Sequence, residues 1–426
     1  MRAARAPAAQ SGVGGGPRRP FPCRRPLSVG GARAAAAAAA SSSSPSPRFA
    51  EPEPVVLYAG SSEHSPKIQV LEFPDTRQFP PQIRGGRVLY CDDSPNIHSV
   101  WHPPAPSAPA PAAATSAPPR ATGAYYDVLA ALPAFLRRPT GPLTDGGAAP
   151  PSTAPPEQAV VILGLGAGTC ARLMQGAFPG WFPPGAGRMV GWELDAAVVD
   201  VSREYMGLAP LMDSGALVAR VGDALAEPPA DELGACAGVV VDLFSRGRLL
   251  PELREAETWC RAVGRRLSRV PGARAIVNLG AGPVAGMPVT AAVADALAAL
   301  AALEEAFGEK AGGAGVCVAA LRTRTTSNLI AMTGGVPTRA EVAAASALMG
   351  TLGAPEALRA AAAQTRWQDA RAFAAAGAGG PGAPGGAARG AASSNAAPGM
   401  GPGRRPQYGG GPGMGMGGSG SGRMRF

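Results

Sequence analysis

Histidine is nearly missing from this chain, with three residues in 426, His64, His98 and His102. The spacing of His98 and His102 would put two imidazoles on one helical face, but Pro103 and Pro104 follow at once and forbid the helix, so no metal site is expected. Cysteine is also sparse. Cys23, Cys91, Cys170, Cys236, Cys260 and Cys317 stand far apart with no C-x-x-C pair, which argues against zinc ribbons, redox motifs and a disulfide framework and predicts reduced, mostly buried thiols. Long apolar runs are missing too. The run Ala34 to Ala40 is only alanine, so neither a secretory signal nor a membrane span is predicted.

Acidic residues are absent from the first fifty positions, which carry eight arginines, a poly-alanine run and the serine block 41–44. This composition predicts an organelle transit peptide over 1–50, with a chloroplast favoured and a mitochondrion as the alternative. The net charge of +9 is therefore unevenly spread. With those eight arginines and the five of 376–426 removed, 26 basic residues face 30 acidic ones, and the folded part carries no implied nucleic-acid face.

Short alternating runs, VVLY, KIQVLEF and RVLY, predict a small β module over 51–102. Pro- and Ala-rich insertions fill 103–156 around a helix at 124–137, which Pro133 should kink or divide. Strands and helices then alternate from 157 to 335, which predicts a parallel sheet of the Rossmann-like kind. The expected strands are 159–164, 188–194, 216–221, 238–244 and 273–279, closed by the runs GVCVAAL and NLIAMTG as antiparallel neighbours. Helices are expected from 168, at 196–205, at 256–268 and at 288–306. One or two Ala-rich helices should occupy 336–375, and a Gly- and Arg-rich disordered tail 376–426.

The chemistry is concentrated where an apolar strand meets glycine, in VVILGLGAGT from Val160 to Thr169. Gly164, Gly166 and Gly168 suit a tight turn, close ligand approach and close helix packing. The second strand ends at Glu193, an acid placed to hold the two hydroxyls of a ribose. It lies 29 residues after Gly164, beyond the usual spacing of about 20, and the loop Gly180 to Gly187 accounts for the excess. Thr169 stands where a G-x-G-x-x-G dinucleotide motif needs its third glycine. Asp223 and Ala224 close the third strand, the acid able to accept from an adenine amino group and the backbone after it able to donate to the ring. Together these favour a sulfonium nucleoside over a nicotinamide. Asp242, at the end of the fourth strand, would face the reacting group.

These motifs resemble the spermidine synthase-like branch of the S-adenosylmethionine-dependent methyltransferase superfamily over roughly 64 to 335. The matching stretches are RVLYCD at 87–92, Tyr125-Tyr126-Asp127, GLGAG, Glu193 with Leu194-Asp195, Gly222-Asp223-Ala224, and DLFS followed by Leu249-Leu250-Pro251. The resemblance implies a Rossmann-like seven-stranded methyltransferase sheet preceded by a small N-terminal β module, α/β in class. It implies S-adenosylmethionine, or its decarboxylated form, as cosubstrate, with Glu193 on the ribose, Asp223 on the adenine and Gly164 to Gly168 on the tail. Asp242, Ser245 and Tyr125 become candidates for the acceptor side, and two copies would pair through the β module. Departures weigh against aminopropyl transfer. Ala167 replaces the aspartate of the family's glycine turn, Ser245 replaces the second aspartate of Asp-x-x-Asp, and Pro66 stands near the place of a glutamine.

Methyl transfer to a small-molecule acceptor is therefore expected, with polyamine aminopropyl transfer or a non-catalytic ligand-binding scaffold as alternatives. A nicotinamide-linked reductase lacks a Ser-Tyr-Lys constellation, and the tail is a weak candidate for RNA, with five arginines and one tyrosine.

Overall fold

The computed structural model describes residues 52–94, 96–104, 120–136, 159–269, 272–284, 287–322 and 327–378. The leader expected over 1–50, the spacer 139–156, most of the insertion 103–120 and the tail beyond 378 lie outside the described residues.

The β module is a four-stranded antiparallel sheet in sequential order, β1 (Val55–Gly60), β2 (Ile68–Glu72), β3 (Arg87–Tyr90) and β4 (Ser99–Trp101). Its alternation sends Ile68, Val70 and Leu89 to one face and Val88, Tyr90 and Val100 to the other. Helix follows as α1 (Tyr125–Leu129) and α2 (Leu132–Phe135), divided as Pro133 requires, with the proline seated in the first turn of α2.

The main domain runs β5 (Ala159–Leu163), α3 (Thr169–Ala177), β6 (Met189–Glu193), α4 (Ala196–Tyr205), α5 (Ala209–Asp213), β7 (Leu217–Val221) and β8 (Cys236–Val241). A hairpin, β9 (Phe244–Ser245) and β10 (Arg248–Leu249), precedes α6 (Ala256–Trp259) and β11 (Arg274–Ala281). After α7 (Ala291–Phe307) come β12 (Val316–Arg322) and β13 (Ser327–Thr333), then α8 (Arg339–Thr351), α9 (Glu356–Gln364), β14 (Gln368–Asp369) and α10 (Ala370–Ala378). The large sheet has the order β14-β12-β13-β11-β8-β5-β6-β7. Strands β11, β8, β5, β6 and β7 are mutually parallel, while β13 and β12 form the expected antiparallel pair. This is the expected seven-stranded Rossmann-like sheet, extended by the two-residue edge strand β14.

The central strands are apolar throughout because helices cover both of their faces. Val160 and Ile162 point into one core with α1, α3 and α8, whereas Val161 and Leu163 point into the other with α6 and α7. Ile68, Val70 and Leu89 of the β module pack on Val198 and Val201 of α4, which fastens the module beside the glycine turn.

Helix starts follow side-chain caps. Asp195 accepts from the Ala197 amide at the head of α4, Thr290 from Val293 at α7, and Thr338 with Glu341 forms a reciprocal capping box at α8. The expected helix at 256–268 is shorter: α6 passes into a π-type turn at Cys260–Gly264. Among the described residues the C-terminal region holds three helices, where one or two were expected, and α10 reaches three residues into the stretch assigned to the tail. The loop 180–187 is anchored, since Trp181 and Phe182 are buried beside Phe178. Among the described residues, Cys170, Cys236 and Cys317 are buried thiols, Cys91 is half-buried and Cys260 is exposed. No described helix is long and apolar enough to cross a membrane.

One buried ion pair braces the sheet below Trp192. Arg266 is fully buried and donates from Nε to Glu232 at 2.7 Å, and Glu232 also accepts from Trp192 Nε1 at 3.0 Å. The indole is flanked by the guanidinium groups of Arg220 and Arg266 at 5.7 and 5.6 Å. Arg266→Ala would leave Glu232 with the Arg220 guanidinium, 3.2 Å away, and Trp192 Nε1 as its partners, and is expected to cost about 1.5–3 kcal/mol of stability in urea denaturation, as for a lost charged hydrogen bond. Arg265→Ala, which breaks only the exposed pair with Glu227, should cost about 0–1 kcal/mol.

Candidate functional site

Strand register assembles the site. Leu163, the last residue of β5, lies opposite Trp192 of β6 on one side and Val241 of β8 on the other, and Val241 lies opposite Val277 of β11. The next residue on each strand is therefore Gly164, Glu193, Asp242 or Asn278, side by side at the carboxyl end of the sheet. The chain leaves β5 for β6 and β7 and returns to β8 on the other side, so this end is also the switch point of the topology, where such sheets bind ligands.

The turn after β5 is tied down on both sides. Gly164 has φ +88°, and a Cβ there would stand 2.2 Å from the Asp242 carbonyl oxygen, so only glycine lets the turn pass between the two strands. The amides of Gly164 and Leu165 donate to the Trp192 carbonyl at 3.0 and 2.8 Å. Gly168, in the left-handed region, starts α3, while the Gly166 amide donates to Glu193 Oε2 at 2.8 Å.

Glu193 is half-buried at the wall of the cavity. Its Oε1 accepts from the Asp195 amide at 3.2 Å. Burial raises its pKa, against the opposing pull of these backbone donors. Each oxygen of a carboxylate has a second lone pair, so both remain able to accept from a ligand hydroxyl. Asp223 is exposed on the same wall, with Oδ1 accepting from the Leu225 amide at 2.8 Å, and Ala224 beside it is buried and also lines the cavity. Above them lies the β1–β2 loop, whose Ser62 hydroxyl donates to Asp195.

Across the switch point, Asp242 is half-buried and holds two donors. Tyr125 Oη donates to its Oδ2 at 3.0 Å, and Asn278 Nδ2 donates to its Oδ1 at 2.9 Å. The Asn278 amide can face only one way, because its Oδ1 accepts from the Gly280 amide at 3.0 Å and from Asn328 Nδ2 at 3.2 Å. Burial pushes the Asp242 carboxyl up to about 6, with the Asn278 and Tyr125 hydrogen bonds holding it down. Tyr125 stacks on Tyr126 with ring centroids 4.1 Å apart, and Tyr126 Oη donates to the His98 carbonyl at 2.9 Å. Asp127 clamps the helix start, accepting from the Thr122 and Gly123 amides at 2.9 and 2.7 Å.

The structure thus gathers Tyr125, Asp242, Glu193, Gly164, Gly166, Asp223 and Ala224 around one cavity of about 2240 Å³. That exceeds the roughly 300–1,000 Å³ of a single-ligand pocket, which leaves room for two molecules together. Ser245 also lines the cavity but stands exposed in β9, with no side-chain hydrogen bond among the described residues. Ala167 is fully buried against the β module, its amide donating to Ser99 Oγ at 2.9 Å. His98 serves the module as well, its Nδ1 accepting from the Cys91 amide at 3.2 Å and its Nε2 lying 3.4 Å from Asp92. Among the described residues no group of three or more side chains is arranged to hold a metal ion.

Sequence reasoning passed over Asn278 and Asn328. The available signal is a polar residue ending the apolar run Ala275 to Val277, where a buried strand has no reason to carry an amide unless the amide has a partner.

No protein-family model and no curated protein matches the chain. Solved structures similar to it include a probable spermidine synthase from Corynebacterium glutamicum ATCC 13032, 19% identical with a TM-score of 0.45, covering 76% of this chain and 94% of that one. Spermidine synthase from Thermotoga maritima is 12% identical with a TM-score of 0.42, covering 72% and 87%. A spermidine synthase in complex with the transition-state analogue AdoDATO is 13% identical with a TM-score of 0.43, covering 72% and 88%.

The Asp242 cluster generates a titration test. The carboxyl carbon of Asp242, followed by NMR, should show an inflection near pH 6, with the charged form above it. Tyr125→Phe removes a donor to the carboxylate, worth about 1.5–3 kcal/mol, and should move the inflection up by about one to two pH units.

Proposed function

We propose that the chain is a methyltransferase-type transferase that takes S-adenosylmethionine and a small-molecule acceptor into the one cavity. The observation that carries this reading is the Glu193 carboxylate, held against the glycine turn by the Gly166 amide, with Asp223 on the same wall and Asp242 across the switch point. The donor set fits the nucleoside. Glu193 keeps a lone pair on each oxygen for the ribose diol, Asp223 keeps Oδ2 for an exocyclic amine, and the turn beside them is glycine.

When bound, S-adenosylmethionine supplies a methyl group activated by its sulfonium. The residues of this chain do the rest by positioning, which is the larger part of catalysis when the leaving group needs no help. Glu193 and Asp223 hold the nucleoside over β5, β6 and β7. Asp242, fixed by Tyr125 and Asn278, receives the acceptor over β8 and β11 and, once ionised above pH about 6, takes up the proton that an amine or hydroxyl nucleophile gives up.

Methyl transfer is favoured over aminopropyl transfer by the fate of two positions. Ala167 is buried against the β module and does not reach the cavity wall, and Ser245 presents a hydroxyl where a dication would need a carboxylate. From the composition of 1–50 we propose that the chain is imported into a chloroplast. A fluorescent protein fused to residues 1–50 should collect there, and collection in mitochondria would select the alternative organelle.

Calorimetry with the full chain tests the cosubstrate. S-adenosylmethionine should bind in the micromolar range, and Glu193→Ala should weaken it at least roughly tenfold, about 1.4 kcal/mol. Preference for the decarboxylated form, with turnover of putrescine, would restore aminopropyl transfer. Binding without transfer to any acceptor would favour a ligand-binding scaffold, and binding of NADPH alone would overturn the proposal.

A further inference from the structure

The cavity has two halves with different charge. Over β5, β6 and β7 it is acidic, with Glu193, Asp195 and Asp223. Glu63 and Asp92 line it from the β module, Asp92 buried beside His98, and among the described residues the half over β8, β11 and β13 holds Asp127 and Asp242. Asp127 is buried, with Oδ1 accepting twice from Thr122 and Oδ2 from Gly123, which leaves the half-buried Asp242.

Arginine dominates the rim of this second half. Arg246 and Arg366 line it, both exposed and without a hydrogen bond or ion pair among the described residues. Arg248 lines it too and shares the single carboxylate of Asp295 with Arg254, so that group keeps an excess positive charge. Arg120 contributes a further guanidinium, held among the described residues by 3.4 Å contacts to the Arg84 and Pro81 carbonyls.

Arg246 occupies an unusual place. It is the sole described non-glycine residue with positive φ, at +49°, and Gly247 follows at +70°. Two left-handed residues between β9 and β10 make a tight hairpin of the kind that favours asparagine, aspartate or glycine at its first position, so backbone preference does not account for an arginine. The tip lies close against the β3–β4 turn, where a Cβ on Gly247 would stand 2.2 Å from Asn96 Nδ2. The hairpin therefore bridges from the end of β8 to the β module with Arg246 at the cavity. Arg246 stands four positions after Asp242, at most about 14 Å of extended chain.

From this arrangement we infer that the acceptor is a small molecule with a nucleophilic amine or hydroxyl at one end, received by Asp242, and an anionic group at the other, bound by Arg246 with Arg366 in support. An ω-amino acid has this charge pattern and a diamine does not. The inference rests on the transferase reading, since that reading places the acceptor in this half. Charge complementarity of this kind also rejects wrong partners, because a second ammonium would meet arginine where it needs a carboxylate.

The test is calorimetric titration of the full chain saturated with S-adenosylhomocysteine. The probes are 4-aminobutanoate, 6-aminohexanoate and 1,4-diaminobutane. At least one amino acid should bind roughly tenfold or more tightly than the diamine, less so as salt rises. Arg246→Gln should weaken that binding about tenfold while leaving the S-adenosylhomocysteine affinity within about twofold, and Arg246→Lys should restore part of it. Tighter binding of the diamine, binding of no probe, or indifference to both Arg246→Gln and Arg366→Gln would overturn the inference while leaving the transferase reading in place. Failure of S-adenosylhomocysteine itself to bind would overturn both, and the same titration reports it first.

Discussion

Everything functional in this fold hangs on the in-register parallel pairing of β5 with β6 on one side and β8 on the other. Leu163 sits level with Trp192 and Val241, so Glu193 and Asp242 emerge at one height with Gly164 between them. A slip of one residue would exchange Val160 and Ile162 with Val161 and Leu163 across the sheet, turning each apolar pair toward the wrong core. Both faces of β5 are buried, so the cost of such a slip has no compensation from solvent. The register that buries the strand is therefore the same register that places the two carboxylates.

The glycine turn transmits that constraint into the site. Its amides satisfy the Trp192 carbonyl and the Glu193 carboxylate, and the absence of a side chain at Gly164 allows the Asp242 carbonyl to come within contact of the backbone. Beneath it, Trp192 is held by Glu232 and two guanidinium groups, which keeps the tip of β6 from drifting. Asp242 is fixed by a different device. Its amide neighbour Asn278 is oriented by the Gly280 backbone, so the donor it presents cannot rotate away. A half-buried acid with two donors keeps its geometry as it changes charge, which suits a group proposed to gain a proton during each turnover.

The β module and the C-terminal helices close the cavity from outside the sheet. Ser62 ties the β1–β2 loop to Asp195, the hairpin tip rests on Asn96, and α9 packs against α1 beside Tyr125. These contacts join segments far apart in the chain, and they shape the acceptor half in particular. Its positive rim is assembled from a hairpin, a loop after α9 and the approach to α1, none of which carries a recognisable motif.

Local chemistry wrote the sheet into the sequence. Runs such as Val160 to Leu163 and Val239 to Val241 can only be strands buried on both faces, Pro133 had to divide its helix, and glycine after β5 marked the turn, so fold class and the residues Gly164, Glu193, Asp223 and Asp242 were legible without coordinates. Asn278 and Asn328 were not, because an amide earns a role only from its partners, and those partners lie 36 and 50 residues away. Nor did the sequence disclose that Ala167 faces the β module, that Trp181 and Phe182 anchor the loop before β6, or that arginines from separate segments share one rim. Strand identity and turn chemistry depend on neighbours along the chain and can be read from it. Side-chain direction, partner choice and local charge depend on what packing brings across space, and only the tertiary structure decides them.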